Sequence, residues 1–161
     1  MVDETAPNHA ASPNMLELNA HAFEDLFVGQ KETYTRTVSS SDVVGFAEIS
    51  GDRNPIHLSE HFAAHTPFKS RIAHGLYTAS LISAVLGTRL PGPGAVYLSQ
   101  TLKFHAPVHI DDVVSIIVEV VELIEHKNRA RLSCICQVED TVVLEGEALV
   151  MVPTRDQLAL A

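Results

Sequence analysis

The segment "SGDRNPIHLSEHFAAH", Ser50–His65, sets a carboxylate, an amide and an imidazole around one proline. Gly, Asp, Asn and Pro are ordinary turn residues, so Asp52 could simply close an Asx turn ahead of Pro55. His57, five residues after Asp52, admits a second reading. A carboxylate and an imidazole held together can grip one water molecule. One group accepts its proton while the other orients it or returns a proton. Imidazole changes charge near neutral pH, which suits it to either task. A second candidate is "IAHGLY", where His74 and Gly75 open a long apolar run. Gly75 either serves a turn there or aims its N–H at an anion. The partial positive charge of a helix start would polarise a carbonyl oxygen docked on it.

Other polar groupings carry less. His57, His61 and His65 recur every four residues and would share one face of a continuous helix, as metal ligands sometimes do. Pro55 and Pro67 bracket them, Glu60 falls on another face, and no carboxylate or Cys completes a set, so no metal site is expected. "HIDD" at 109–112 reads as a solvated turn. Cys134 and Cys136 would sit on one strand face about 7 Å apart, so a disulfide between them would be strained. They read as reduced core residues. No phosphate loop, dinucleotide fingerprint or exposed-serine nucleophile motif occurs.

These side chains need elements to hold them. Residues 31–38 alternate as a strand. Ser41 or Asp42 can cap a short helix that puts Val43, Phe46 and Ala47 on one face. Asp52 to Pro67 is irregular, or holds a short helix near 59–65. Residues 75–87, "GLYTASLISAVLG", are apolar or small nearly all round, the pattern of a buried helix. Ala79, Ser83 and Gly87 form a stripe of small residues along it, and Pro91 and Pro93 stop it. The period then becomes two, over 95–106, 113–124, 130–138 and 142–152. In the first, Val96, Leu98, Leu102 and Phe104 share a face; in the last, Val142, Leu144, Ala148, Val150 and Val152 do. The expected class is α+β, an antiparallel sheet of about five strands wrapped around one helix. Such a sheet has edges to protect, and pairing with a second copy would cover one.

The chain has 161 residues, enough for one domain with a real core. The reading divides it into an arm over 1–20, a domain over 21–155 and a tail over 156–161. A net charge of −9 argues against nucleic-acid or anionic-membrane partners. "MVDETAPNHAASPN" lacks the basic start and apolar run of a signal peptide, and no apolar run is long enough to span a membrane. The expected location is the cytoplasm.

At the motif level the chain is recognisable. "FAEISGDRNPIHLSEHFA", with Gly51, Asp52, Asn54, Pro55 and His57 in place, resembles the hydratase-2 motif of the MaoC-like, (R)-specific enoyl-CoA hydratases. "RIAHGLYTASLISAVLG" resembles that family's central helix, and "LPGPGAVYLSQTLKFHAPVHIDDVV" its following strand and turn. The match runs from about residue 22 to 153. The resemblance implies a hot-dog fold, usually a homodimer, acting on an acyl-CoA thioester without metal or other cofactor. It implies Asp52 and His57 as the catalytic pair and Gly75 as the oxyanion donor. Asn54 would support the loop, and the Ser83 hydroxyl would help order the site. Lys69, Arg71, Arg89 and Lys103 would lie near the tunnel. Rival readings are the same chemistry on acyl carrier protein, a hot-dog thioesterase, and a non-catalytic acyl-CoA binder.

Overall fold

The computed structural model describes residues 16–160. Strand β1 spans Lys31–Thr37 and leads into helix α1, Ser40–Ser50. The cap of α1 is Ser39 rather than Ser41 or Asp42. Its side chain accepts from the Asp42 N–H, and the Asp42 carboxylate accepts from the Ser39 N–H, a reciprocal capping box. The same carboxylate binds Arg36 at 2.8 Å and accepts the Tyr77 hydroxyl at 3.1 Å. One side chain thus joins β1, α1 and the long helix.

Between Asp52 and Pro67 a short helix, α2, spans Pro55–Leu58, and the short helix expected near 59–65 is α3, Glu60–Ala64. Helix α4, Gly75–Thr88, is the expected buried helix. Tyr77, Leu81, Ile82, Val85 and Leu86 are enclosed, and the chain leaves through Pro91 and Pro93. Strands β2 (Val96–Gln100), β3 (Lys103–Phe104), β4 (Val113–Ile124), β5 (Arg129–Val138) and β6 (Thr141–Met151) follow, then a short helix α5, Arg155–Leu158. The sheet is six-stranded and antiparallel in the order β1-β4-β5-β6-β2, with β3 paired to β6.

Strict alternation sets the inner face of β4 and β5. Val114, Ile116, Val118 and Val120, with Ala130, Leu132, Cys134 and Cys136, are fully buried. Each fully buried Val or Leu contributes roughly 1.5–3 kcal/mol. Burial pushes the Cys134 thiol up to about 11 and the Cys136 thiol up to about 12, so both remain protonated packing groups. The period breaks at three places, the first at Val121, an extra residue in β4 between Val120 opposite Leu132 and Glu122 opposite Arg131. Cys136 faces Leu144 while Gln137 faces Val142, so Val143 is an extra residue in β6. This bulge puts Val143 in the core and leaves Val142 only half-buried, against the expectation that Val142 faces inward. The expected strand 95–106 is two pieces. Its register shifts between Tyr97 and Ser99, and Val96, Leu98 and Phe104 are exposed rather than enclosed.

Residues 1–15 of the expected arm lie outside the described residues. Residues 16–20 run along the far end of α4, where the Asn19 N–H donates to the Thr88 carbonyl at 2.7 Å. At the other terminus α5 crosses the drawn boundary, and Arg155 pairs with Asp25 at 2.6 Å. Among the described residues, no helix is long and apolar enough to cross a membrane.

Candidate active site

Helix α1 stops at Gly51, whose φ of +80° is the left-handed conformation that favours glycine. That turn presents Asp52. The Asp52 N–H donates to Ser50 Oγ, and its Oδ1 accepts the Asn54 N–H, each at 3.1 Å. Asn54 Oδ1 in turn caps α2 by accepting the Ile56 N–H at 3.1 Å, with Pro55 at the first helical position. The Asx turn and the exposed carboxylate therefore coexist, since the turn uses Oδ1 and leaves Oδ2 free of it. One turn on, α2 directs His57 inward, where it is only 7% exposed. Arg71 braces this arrangement. Its Nε–H donates to the His57 carbonyl at 2.6 Å and its Nη1 to Ser40 Oγ at 3.1 Å.

His57 Nδ1–H donates to the Ile72 carbonyl at 2.7 Å. A carbonyl only accepts, so Nδ1 carries the proton and Nε2 is a bare lone pair. His74 is 2% exposed and donates Nε2–H to the Asp52 main-chain carbonyl at 2.9 Å. Its ring stacks on His57, with centroids 3.8 Å apart and planes 30° from parallel. Asp52, His57 and His74 each bring one polar side-chain atom within 4.8 Å of the others. Burial holds the His57 imidazole below its ordinary pKa and His74 pushes the same way, against the Ile72 carbonyl and the Asp52 carboxylate.

That direction sets a pH dependence. Neutral His57 is the form with a free Nε2, and its depressed pKa keeps that form populated below the ordinary imidazole range. A pH profile of kcat/KM is expected to fall on its acid side through an apparent pKa below about 6.5. An acid limb centred above neutrality would contradict this. Stability follows the same sign. The unfolded chain binds the proton more readily, so this contribution is present above the unfolded pKa and is lost as pH falls through the folded one.

The pair opens into a cavity of about 750 Å³ that Gly75 also lines. Gly75 and Leu76 begin α4, and the N–H groups of a helix's first turn have no carbonyl one turn back to bond. A Cβ at Gly75 would stand 2.7 Å from Phe104 Cε1, so glycine is what lets that ring lie against the helix start. Across the cavity His105 pairs with Glu145 at 3.0 Å.

Asp52, Asn54, His57 and Gly75 are thus brought together. Ser83 is not. It lies two turns along α4, exposed, in a separate groove with Ser80, Tyr97 and Leu98. The histidine ladder is broken at Ser59, and His61 and His65 face solvent on α3 and its end. Arg71 is the loop brace described above, Arg89 pairs with Glu32 at 3.4 Å, and Lys69 and Lys103 are exposed. The His74 imidazole was not expected in the site. It makes no side-chain cap bond of the kind that spacing signals, and its ring instead reaches the loop 22 residues earlier.

An antiparallel sheet packed against one long helix defines a hot-dog protein, and here a carboxylate and an imidazole lie together at that helix's start. The chain belongs to the MaoC-like family: residues 28–141 match the MaoC like domain. It is 70% identical over 141 residues to a 3-hydroxybutyryl-CoA dehydratase of Methylorubrum extorquens, covering 88% of this chain and 90% of that one. It is 51% identical over 139 residues to an (R)-specific enoyl-CoA hydratase of Rhodospirillum rubrum, covering 86% and 96%. Among solved structures it resembles the R-hydratase PhaJ1 of Pseudomonas aeruginosa, with a TM-score of 0.80 and 44% identity over 83% of this chain and 86% of that one.

Proposed function

We propose that the protein is a hydro-lyase that adds water reversibly to a trans-2-enoyl-CoA, giving an (R)-3-hydroxyacyl-CoA, with short acyl chains as substrate. The observation that carries this is the convergence of Asp52 and His57 within 4.8 Å at the start of α4. The names of the similar hydratases and of the dehydratase for a four-carbon thioester support the substrate class.

In this reading a water molecule donates one hydrogen to the free Asp52 oxygen and one to His57 Nε2. Its oxygen lone pair faces C3. As the C3–O bond forms, the C2=C3 π electrons move onto the enolate, and the thioester oxygen takes up charge at the Gly75 N–H. The pair removes one proton from the water and returns it to C2. Dehydration runs the same steps backwards. Asn54 keeps the Asp52 carboxylate aimed, and Ile72 keeps His57 in the tautomer that can accept. The step is acid–base throughout and is written with no cofactor.

Crotonyl-CoA and purified protein test this. Loss of enoyl absorbance with formation of the (R)-3-hydroxy product is expected. Release of free thiol without loss of the enoyl group would instead make it a thioesterase, and binding without turnover would make it an acyl-CoA binder. Parallel assay of the acyl carrier protein thioester separates the two carriers; the net charge of −9 disfavours docking of an acidic one.

The reading includes a homodimer. Strand β2 is the last in the sheet, its outer edge is unpaired among the described residues, and Val96, Tyr97 and Leu98 on it are 46%, 38% and 41% exposed. Light scattering is expected to give twice the chain mass, and Leu98→Lys to shift the protein toward monomer. A wild-type monomer at micromolar concentration would refute the pairing.

A further inference from the structure

The imidazole of His74 has no task in the chemistry above, yet it is among the most enclosed polar groups of the described chain, at 2% exposure. It touches both members of the pair. Its Nε2–H holds the main chain of Asp52 at 2.9 Å, and its ring lies 3.8 Å from that of His57. It is also the N-cap residue of α4, immediately before Gly75. On its other side the ring of Phe46 closes in at 4.9 Å. We propose that His74 is a positioning residue: it fixes the gap between Asp52 and His57, clamping one through its main chain and the other through its ring, and ties both to the helix end that carries Gly75. The proposal rests on the hydration reading.

The physical argument has two parts. Asp52 stands on an exposed loop secured by Ser50 and Asn54, both on the same short stretch of chain. His74 supplies the bond from that loop to a buried element 22 residues away. A displacement of about 1 Å in a reacting group costs on the order of a hundredfold in rate, so such a bond governs kcat. The second part is solvent exclusion. Among the described residues, His74 Nδ1 is enclosed and has no hydrogen-bond partner. The ring stacked on His57 at 3.8 Å keeps water from it, and this favours the uncharged form of His57. The titratable groups around His74 are Asp52, His57 and, across the cavity, His105 in its pair with Glu145.

Two variants separate the two contacts. His74→Phe keeps a ring against His57 and removes the donor to Asp52. Its kcat is expected to fall about 10- to 100-fold with KM within about threefold, and the acid limb of its pH profile to stay in place. His74→Gln keeps an N–H at the position of Nε2 and removes the ring. It is expected to retain kcat within about fivefold while the acid limb moves up toward the ordinary imidazole pKa. Wild-type kcat and pH profile in both variants would overturn the proposal. So would equal losses in both with an unmoved limb, the mark of packing alone. Nitrogen-edited NMR of the imidazole rings in the wild-type protein reads the clamp without any substrate. A proton on His74 Nε2 is expected, and a ring protonated at Nδ1 alone would refute the clamp even if hydration is confirmed. The expected tautomer in a protein that hydrates no enoyl-CoA would sustain the clamp while ending the substrate reading.

Discussion

Asp52→Asn is expected to lower kcat for crotonyl-CoA hydration by roughly 10²–10⁴-fold, the usual size of a lost acid–base group, with the fold intact. The change is small in shape. Asn keeps an oxygen that can accept the Asn54 N–H, now made by Asp52 Oδ1 at 3.1 Å, so the loop can retain its course. What goes is the second acceptor, replaced by an NH₂ that donates. The water then meets a donor where it needs a base, and His57 Nε2 is left as its only proton acceptor in the pair. Steady-state kinetics alongside circular dichroism and thermal melting check this. A folded Asp52→Asn protein that turns over at the wild-type rate would remove Asp52 from the reaction.

Gly146→Ala is expected to have the largest effect on stability, about 3 kcal/mol or more. Gly146 sits in β6 opposite Cys134. The chain between β2 and β3 crosses directly over it. There the Thr101 N–H donates to the Glu147 carbonyl at 3.0 Å, and the Glu147 N–H donates to Thr101 Oγ1 at 2.9 Å. A Cβ at Gly146 would stand 1.7 Å from the Thr101 carbonyl oxygen. That neighbour is main chain bonded on both sides and has nowhere to swing. The crossing must lift, and β2 or β3 must part from β6. For a chain of this size the loss corresponds to a drop of roughly 6–12 °C in Tm. A melting temperature within about 2 °C of wild type would show that the crossing is more compliant than its bonds imply.

That crossing also explains where the fold was hard to read. Over 113–120 and 130–138 each strand has two neighbours and a covered face, so polarity alternates faithfully and the inward residues are legible. Over 95–106 the alternation is just as clean, yet Val96, Leu98 and Phe104 lie exposed. Alternation reports that one face avoids water, and it does not report what covers that face. In β6 the single extra residue at Val143 shifts the phase by one, which no pattern of hydrophobicity marks in advance. The site divides in the same way. Asp52, Asn54 and His57 are bound by local rules, an Asx turn and a cap, that spacing expresses. Ser83 is placed by the rotation of α4 relative to the sheet, a tertiary quantity, and faces a different groove. The role of the His74 ring depends on which loop it folds over, and that is settled only by packing.

The polar groups around the cavity come largely from one continuous stretch, Asp52 to Gly75, on one copy of the chain. Each copy therefore carries its own carboxylate, its own pair of imidazoles and its own helix-end amide. A deletion confined to that stretch would therefore remove all of these groups together.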